Sequence, residues 1–273
     1  MHKNTFYILV LGVLLICASF TEGYKLYKSI PVDHATFFSI DNFGNSYVVT
    51  NDILSQYSPS GDLMLTYNER QQGHLTYVDV SNPLKLLLFY PDFARVVVLD
   101  NKLSPKGQIN FRDVDIFQPG LVCNSYNDAI WVFDQQELKL KRLDASLRKV
   151  NESSSLGQVA ESIAPNFMLE VNNWLYVNNP STGIMVFDVY GTYYKTLPFT
   201  GLHSFQVVND QLVYFRYNRE NGKPELKTYN LKTIEEKDIL LPAPYKADSI
   251  LDARLTQEKL FLFKKEVIDL YSF

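Results

Sequence analysis

Six polar turns recur along the chain at nearly constant spacing, each flanked by apolar runs of strand length. The turn residues are Ser58 in QYSPSGDLML, Asp100 in VVVLDNKLSP, Asp144 in LKRLDASLRK, Asp188 in MVFDVYGTYY, Asn230 in KTYNLKTIEE and Ser272 in IDLYSF, separated by steps of 42, 44, 44, 42 and 42 residues. A repeat of this length, built from short strands and tight turns, is the period of β-propeller blades. The spacing therefore predicts an all-β protein: a single six-bladed β-propeller of four-stranded blades.

Composition agrees with one large β domain. Hydrophobic residues make up 46% of the chain and aromatic residues 14%, enough to pack a core, and Tyr, Phe, Val and Ile suit a pleated, half-buried surface. The formal net charge of −4 and the lack of any dense Lys or Arg cluster remove the attraction that supplies nonspecific phosphate binding. Nucleic acid is not an expected partner, and anionic membrane surfaces are disfavoured in the same way outside the N-terminus.

The N-terminus reads as a signal peptide over residues 1–23, with the propeller domain over 24–273. His2 and Lys3 start it, Phe6 to Ile16 is an apolar run of h-region length, and Ala18, Ser19 and Gly23 are small residues suited to cleavage. The alternative is a lipoprotein signal in which Leu14-Leu15-Ile16-Cys17 is the lipobox and Cys17 is acylated, although Ile16 stands where Gly, Ala or Ser is usual. Either reading makes the protein exported: periplasmic, associated with the outer membrane, or secreted. The remaining cysteine, Cys123, lies in an expected inner strand as a small buried hydrophobe with no disulfide partner.

Blade 1 is the most explicit. Thr36–Asp41, Ser46–Thr50, Ile53–Ser58 and Leu63–Tyr67 form its four expected strands, with turns at Asn42–Asn45 and Pro59–Asp62. Its residues Asp41, Gly44, Asn45, Tyr47 and Val48, followed by Tyr57 and Gly61, resemble the D-x-x-G-N-x-Y-V and Y-x-x-x-G pattern of NHL-type repeats over roughly 25 residues. The resemblance implies a propeller used as a rigid interaction platform and implies no activity. The last blade has three strands before the chain stops at Phe273, while Tyr24 to Pro31 precedes blade 1 without a place in it. Pairing that segment with EVIDLYSF would complete the sixth blade and remove two exposed sheet edges. A polar loop, Asn151 to Pro165, is expected between blades 3 and 4, overhanging the face where the inner strands begin.

Motifs of nucleophilic, zinc or nucleotide chemistry are missing from the sequence, and no cofactor is required by it. A propeller site is assembled from single residues on several blades, so its candidates are scattered along the sequence. His34, His74 and His203 each stand at the entrance to an expected inner strand, on one face, where they would meet Asp33, Arg112, Asp115, Glu161 and Asp248. Neutral imidazoles beside carboxylates can bind metal or move protons; the competing account is that each histidine fixes its own loop. On the same face Asp52, Asp92, Gln135, Asn179, Arg219 and Lys265 suit polar recognition, and Phe93 and Tyr245 suit contact with a protein. The expected function is a noncatalytic interaction or scaffold module of the cell envelope that binds another envelope protein, with membrane contact only through a lipid anchor. The alternative is an enzyme or a sensor of a small ligand or metal at the channel mouth.

Overall fold

The computed structural model describes residues 23–69, 71–242 and 249–273. They form six four-stranded antiparallel sheets arranged as propeller blades. Blade 1 comprises Ala35–Ile40, Ser46–Thr50, Ile53–Tyr57 and Leu63–Asn68, and blade 2 Tyr77–Asp79, Leu86–Tyr90, Arg95–Leu99 and Pro105–Asn110. Blade 3 comprises Pro119–Asn124, Ile130–Asp134, Lys139–Leu143 and Lys149–Glu152; blade 4 Phe167–Val171, Trp174–Asn179, Gly183–Asp188 and Tyr193–Leu197. Blade 5 comprises Phe205–Val208, Gln211–Tyr217, Pro224–Asn230 and Glu236–Ile239. Blade 6 takes Ile250–Leu255, Lys259–Lys264 and Val267–Ser272 from the end of the chain and Lys25–Pro31 from its beginning.

The recurrent turn residue works as a clamp, which explains why the period is visible in sequence. One carboxylate oxygen of Asp100 accepts the backbone N–H groups of Lys102 and Ser104 at 2.9 Å each, and Asp144 takes those of Ser146 and Arg148 in the same way. Asp188 repeats it with Tyr190 and Thr192, and Asn230 with Lys232 and Thr233. A short side-chain acceptor satisfies donors that the turn would otherwise leave unpaired. In blade 1 the first turn is clamped too: Asp41 accepts from Phe43 and Asn45 N–H groups and from the Tyr47 hydroxyl, and Gly44 adopts the φ of +82° that closes the turn.

Alternation along each strand turns apolar side chains to both faces of a blade, and each junction between neighbouring blades buries one apolar cluster. Blades 6 and 1 meet through Ile30, Phe38, Val48, Phe261, Phe263, Ile268 and Leu270. Equivalent clusters fill the other five junctions. The N-terminal strand closes the ring antiparallel to Val267–Ser272, with Lys25 opposite Ser272 and Pro31 opposite Val267. The Ile30 side chain sits in the junction cluster, so closure is made by packing as well as by hydrogen bonds.

Two segments carry local features that shape the blades around them. The inner strand of blade 2 is only three residues long, because Asp79 turns its carboxylate to the N–H groups of Ser81 and Asn124 and ends the ladder there. The segment after blade 3 is less of a free loop than its composition suggests. Asn151 and Glu152 belong to the fourth strand, and Leu156 is fully buried at a short turn against blades 3 and 4. Ser162 and Ala164 are bound by the Asn179 side chain. Among the described residues no helix is long and apolar enough to cross a membrane.

Candidate recognition site at the channel mouth

The inner strands of the six blades surround a central channel. Its waist is crossed by aromatic side chains meeting edge to face: Phe37 to Tyr77 at 5.5 Å between ring centroids, Tyr77 to Phe167 at 6.2 Å, and Phe167 to Phe205 at 4.9 Å. These contacts join blades 1, 2, 4 and 5 across the axis. Above the waist, on the face where the inner strands begin, lies a recess of about 360 Å³. Below it lies a smaller one of about 140 Å³. Ser39, Tyr77, Phe167 and Arg254 line both, so they form the partition.

The larger recess has a polar wall on blades 5 and 6. Arg254 donates to Asp252 at 2.7 Å and to the Ser204 hydroxyl at 2.7 Å, and Ser204 donates to Asp252 at 2.9 Å. Asp252 and Arg254 are two apart on an inner strand, which turns both side chains the same way. Their mutual pairing satisfies the almost fully buried guanidinium. His203, Asn166, Thr36 and Thr76 complete the polar rim, and Phe37, Phe38 and Phe263 line its apolar side. The arrangement offers hydrogen-bond donors and acceptors around an apolar floor, the general make-up of a recognition pocket.

Of the histidines expected at the inner-strand entrances, His203 lines this recess; His34 and His74 do not. His34 is exposed, holds a positive φ of 51°, and has its ring 3.4 Å from Asp33. His74 is exposed with its ring 3.0 Å from Asp52, and its backbone N–H donates to Asp92. The hydrogen bond to Asp52, with Coulombic attraction to Asp52 and Asp92, raises the His74 pKa above the ordinary histidine value. Arg112 and Asp115 lie on the connection from blade 2 to blade 3, Arg112 in a 3₁₀ turn and Asp115 as its left-handed cap, both with exposed side chains away from the recess. Asp248 and Tyr245 lie outside the described residues, as does Cys17. Among the described residues no group of three or more His, Cys, Asp or Glu side chains is placed to hold a metal ion.

Several polar loop residues are fasteners. Asp52 binds the N–H of Leu75 as well as the His74 ring, and Asn179 is buried in bonds to Ala164, Ser162 and Thr182. Cys123 is fully buried, and burial pushes its thiol well above the usual range. Sequence reasoning missed Ser204, Asp252 and Arg254. The signal available was a pair of opposite charges at alternate positions of ILDARL, an inner strand whose outward neighbours are apolar.

No family model matches the chain, and no curated protein does. Solved structures share its fold. A catalytically inactive variant of virginiamycin B lyase from Staphylococcus aureus, solved with quinupristin, is 12% identical with a TM-score of 0.62, over 92% of this chain and 99% of that one. BamB from Moraxella catarrhalis is 10% identical with a TM-score of 0.52, over 92% of this chain and 98% of its own. PorZ of Porphyromonas gingivalis, described as an essential surface component of the type-IX secretion system, is 14% identical with a TM-score of 0.50, over 88% of this chain and 32% of its own. Likeness at such identities shows the propeller fold and leaves function to the residues.

Proposed function

We propose that this chain is an exported, noncatalytic propeller that recognises another envelope protein on its loop face, with the recess above the aromatic waist as the centre of contact. The observation that carries the reading is the recess itself, whose charged groups Asp252 and Arg254 are tied to each other and to Ser204 and so present a fixed polar wall. Here the recess supports holding a side chain or loop of a partner. His34, His74, Arg112, Asp115, His203 and Asp248 belong to the surrounding face in this reading, and residues 1–23 act as the export signal. The shared fold of PorZ, described as a bacterial surface component, is in keeping with such a role, as is the resemblance of blade 1 to NHL-type repeats.

A second reading has its own support. The recess volume of about 360 Å³ falls within the range of small-molecule pockets, and a lyase shares the fold, so a small-ligand site is the alternative. Affinity capture from the native envelope separates the two. His203→Gln and Thr36→Trp, which alter and fill the rim, abolish capture of a discrete partner while leaving the melting temperature unchanged if the recess is the contact. Capture that survives both substitutions overturns the proposal. A ligand-dependent rise in melting temperature that both substitutions erase, with no partner captured, establishes the small-ligand reading instead.

A further inference from the structure

At the junction of blades 6 and 1, on the end of the molecule opposite the recess, large apolar side chains stand in water. Phe43 is 69% exposed at the first turn of blade 1, and Leu63 and Met64 are 58% and 52% exposed at the start of its outer strand. Leu26 and Tyr27 are equally open at the start of the outer strand of blade 6, and so is Phe273 at the end of the chain. Both pairs lie on outermost strands at β-bulges, which skip Tyr27 and Met64 in the pairing register and turn both members of Leu26-Tyr27 and Leu63-Met64 outward.

Short contacts tie these segments into one surface. Lys28 pairs with Asp62 at 2.5 Å, and Lys259 donates to the Pro59 carbonyl while its ammonium lies 4.5 Å from the centroid of the Tyr27 ring. Gly61, with φ +78°, has no room for a side chain, since a Cβ there would sit 3.0 Å from Lys28 and 3.2 Å from Ile30. The two outer strands are therefore held close at this end. Aromatic and lysine side chains around an apolar patch match the chemistry of a bilayer interface, where rings lie at headgroup depth and ammonium groups reach up to phosphate.

The chain itself indicates what covers the patch. The first strand begins at this end, where the Tyr24 ring meets Phe273 at 5.8 Å. Eight residues, 17–24, separate that strand from the apolar run Phe6–Ile16, and eight residues reach at most about 29 Å. Retention of that run in a membrane, or acylation at Cys17, places a lipid anchor within this distance of the start of the first strand, at the same end of the molecule as the patch. We propose that the blade 6–blade 1 end is a membrane-seating surface, with Phe43, Leu63, Met64 and Tyr27 entering the lipid interface. The loop face and its recess then point away from the bilayer. This orientation is independent of what the recess binds.

Photo-crosslinking on the full chain tests it. Phe43 and Leu63 are replaced one at a time by p-benzoylphenylalanine, and Phe93 and Phe117 on the loop face serve as controls. All four side chains are exposed, so unchanged melting is expected and is checked. After irradiation in membranes of a Gram-negative host, mass spectrometry reads the modified peptides. Phospholipid or acyl adducts at 43 and 63, at least fivefold above those at 93 and 117, are the expected result. Adducts to another protein or to a second copy of the chain, equal lipid labelling at all four positions, or no adduct at 43 and 63 each overturn the proposal.

Discussion

Replacing Ile30 with Ala tests whether the ring is held shut by packing. The side chain is 3% exposed, on a strand that is about 240 positions from its partner in sequence, and it packs with Phe38, Val48, Phe261, Phe263, Ile268 and Leu270. Truncation removes three carbons, worth about 2.4 kcal/mol in transfer free energy at roughly 0.8 kcal/mol each. Partial collapse of the surrounding rings leaves a cavity cost, bringing the total to about 3–4 kcal/mol. In a chain of this size that lowers the melting temperature by about 10 °C. Circular dichroism follows the whole ring, while Trp131 and Trp174 report blades 3 and 4 on the far side. If closure couples the blades, both probes shift together. Lys25→Ala, at an exposed position of the same strand, is the control and stays within about 0.5 kcal/mol. A shift below about 2 °C for Ile30→Ala, or loss confined to blade 6 with the tryptophan transition unmoved, refutes the reasoning.

Three further outcomes follow from the same structure. Glu170 accepts from Ser125 and Trp131 at 2.6 Å each and from the Tyr126 N–H at 3.0 Å; Glu170→Ala orphans those donors, costs about 2–3 kcal/mol in denaturant titration, and shifts Trp131 emission. Lys139 and Lys149 hold the Glu152 carboxyl down to about 2, below its unfolded value near 4.3. This stabilisation is present above pH 4.3 or so and is lost as pH falls toward 2; after screening it amounts to about 1 kcal/mol, and Glu152→Gln removes that slope from melting curves between pH 5 and 2. Burial raises the Asp79 pKa, so the unfolded chain releases this proton first and stability falls as pH rises above the ordinary carboxylate range. Asp79→Asn flattens that fall, and a slope that survives the substitution assigns it to another group.

The parts of the fold that were legible in sequence are those where one side chain does one local job. Asp100, Asp144 and Asp188 announce their turns because each clamps N–H groups two and four residues ahead, a relation contained within a few residues. The closing strand was legible for a different reason: the last blade lacked a strand and the first segment lacked a blade. The recess was not legible. Ser204 meets Asp252 and Arg254 from a neighbouring blade, 48 and 50 positions away, and no local pattern encodes that meeting. The histidines were placed at the right entrances, yet which way each side chain turns depends on neighbours such as Asp52 and Asp92, and only His203 reaches the recess. The segment after blade 3 was misjudged because one buried residue, Leu156, pins an otherwise polar stretch.

Closure of the ring by its first strand also orders events in time. Among the strands of the ring Lys25–Pro31 is synthesised before the others and its partner Val267–Ser272 after them. Until Val267–Ser272 emerges the outer strand of blade 6 has no partner, and the cluster joining blades 6 and 1 lacks Ile268 and Leu270. Contacts so distant along the chain form late because a long loop must be ordered before they are made. A nascent chain of this design keeps its ring open until Val267–Ser272 has been made. The fastening that holds the ring shut thus defers closure until both of these strands are available.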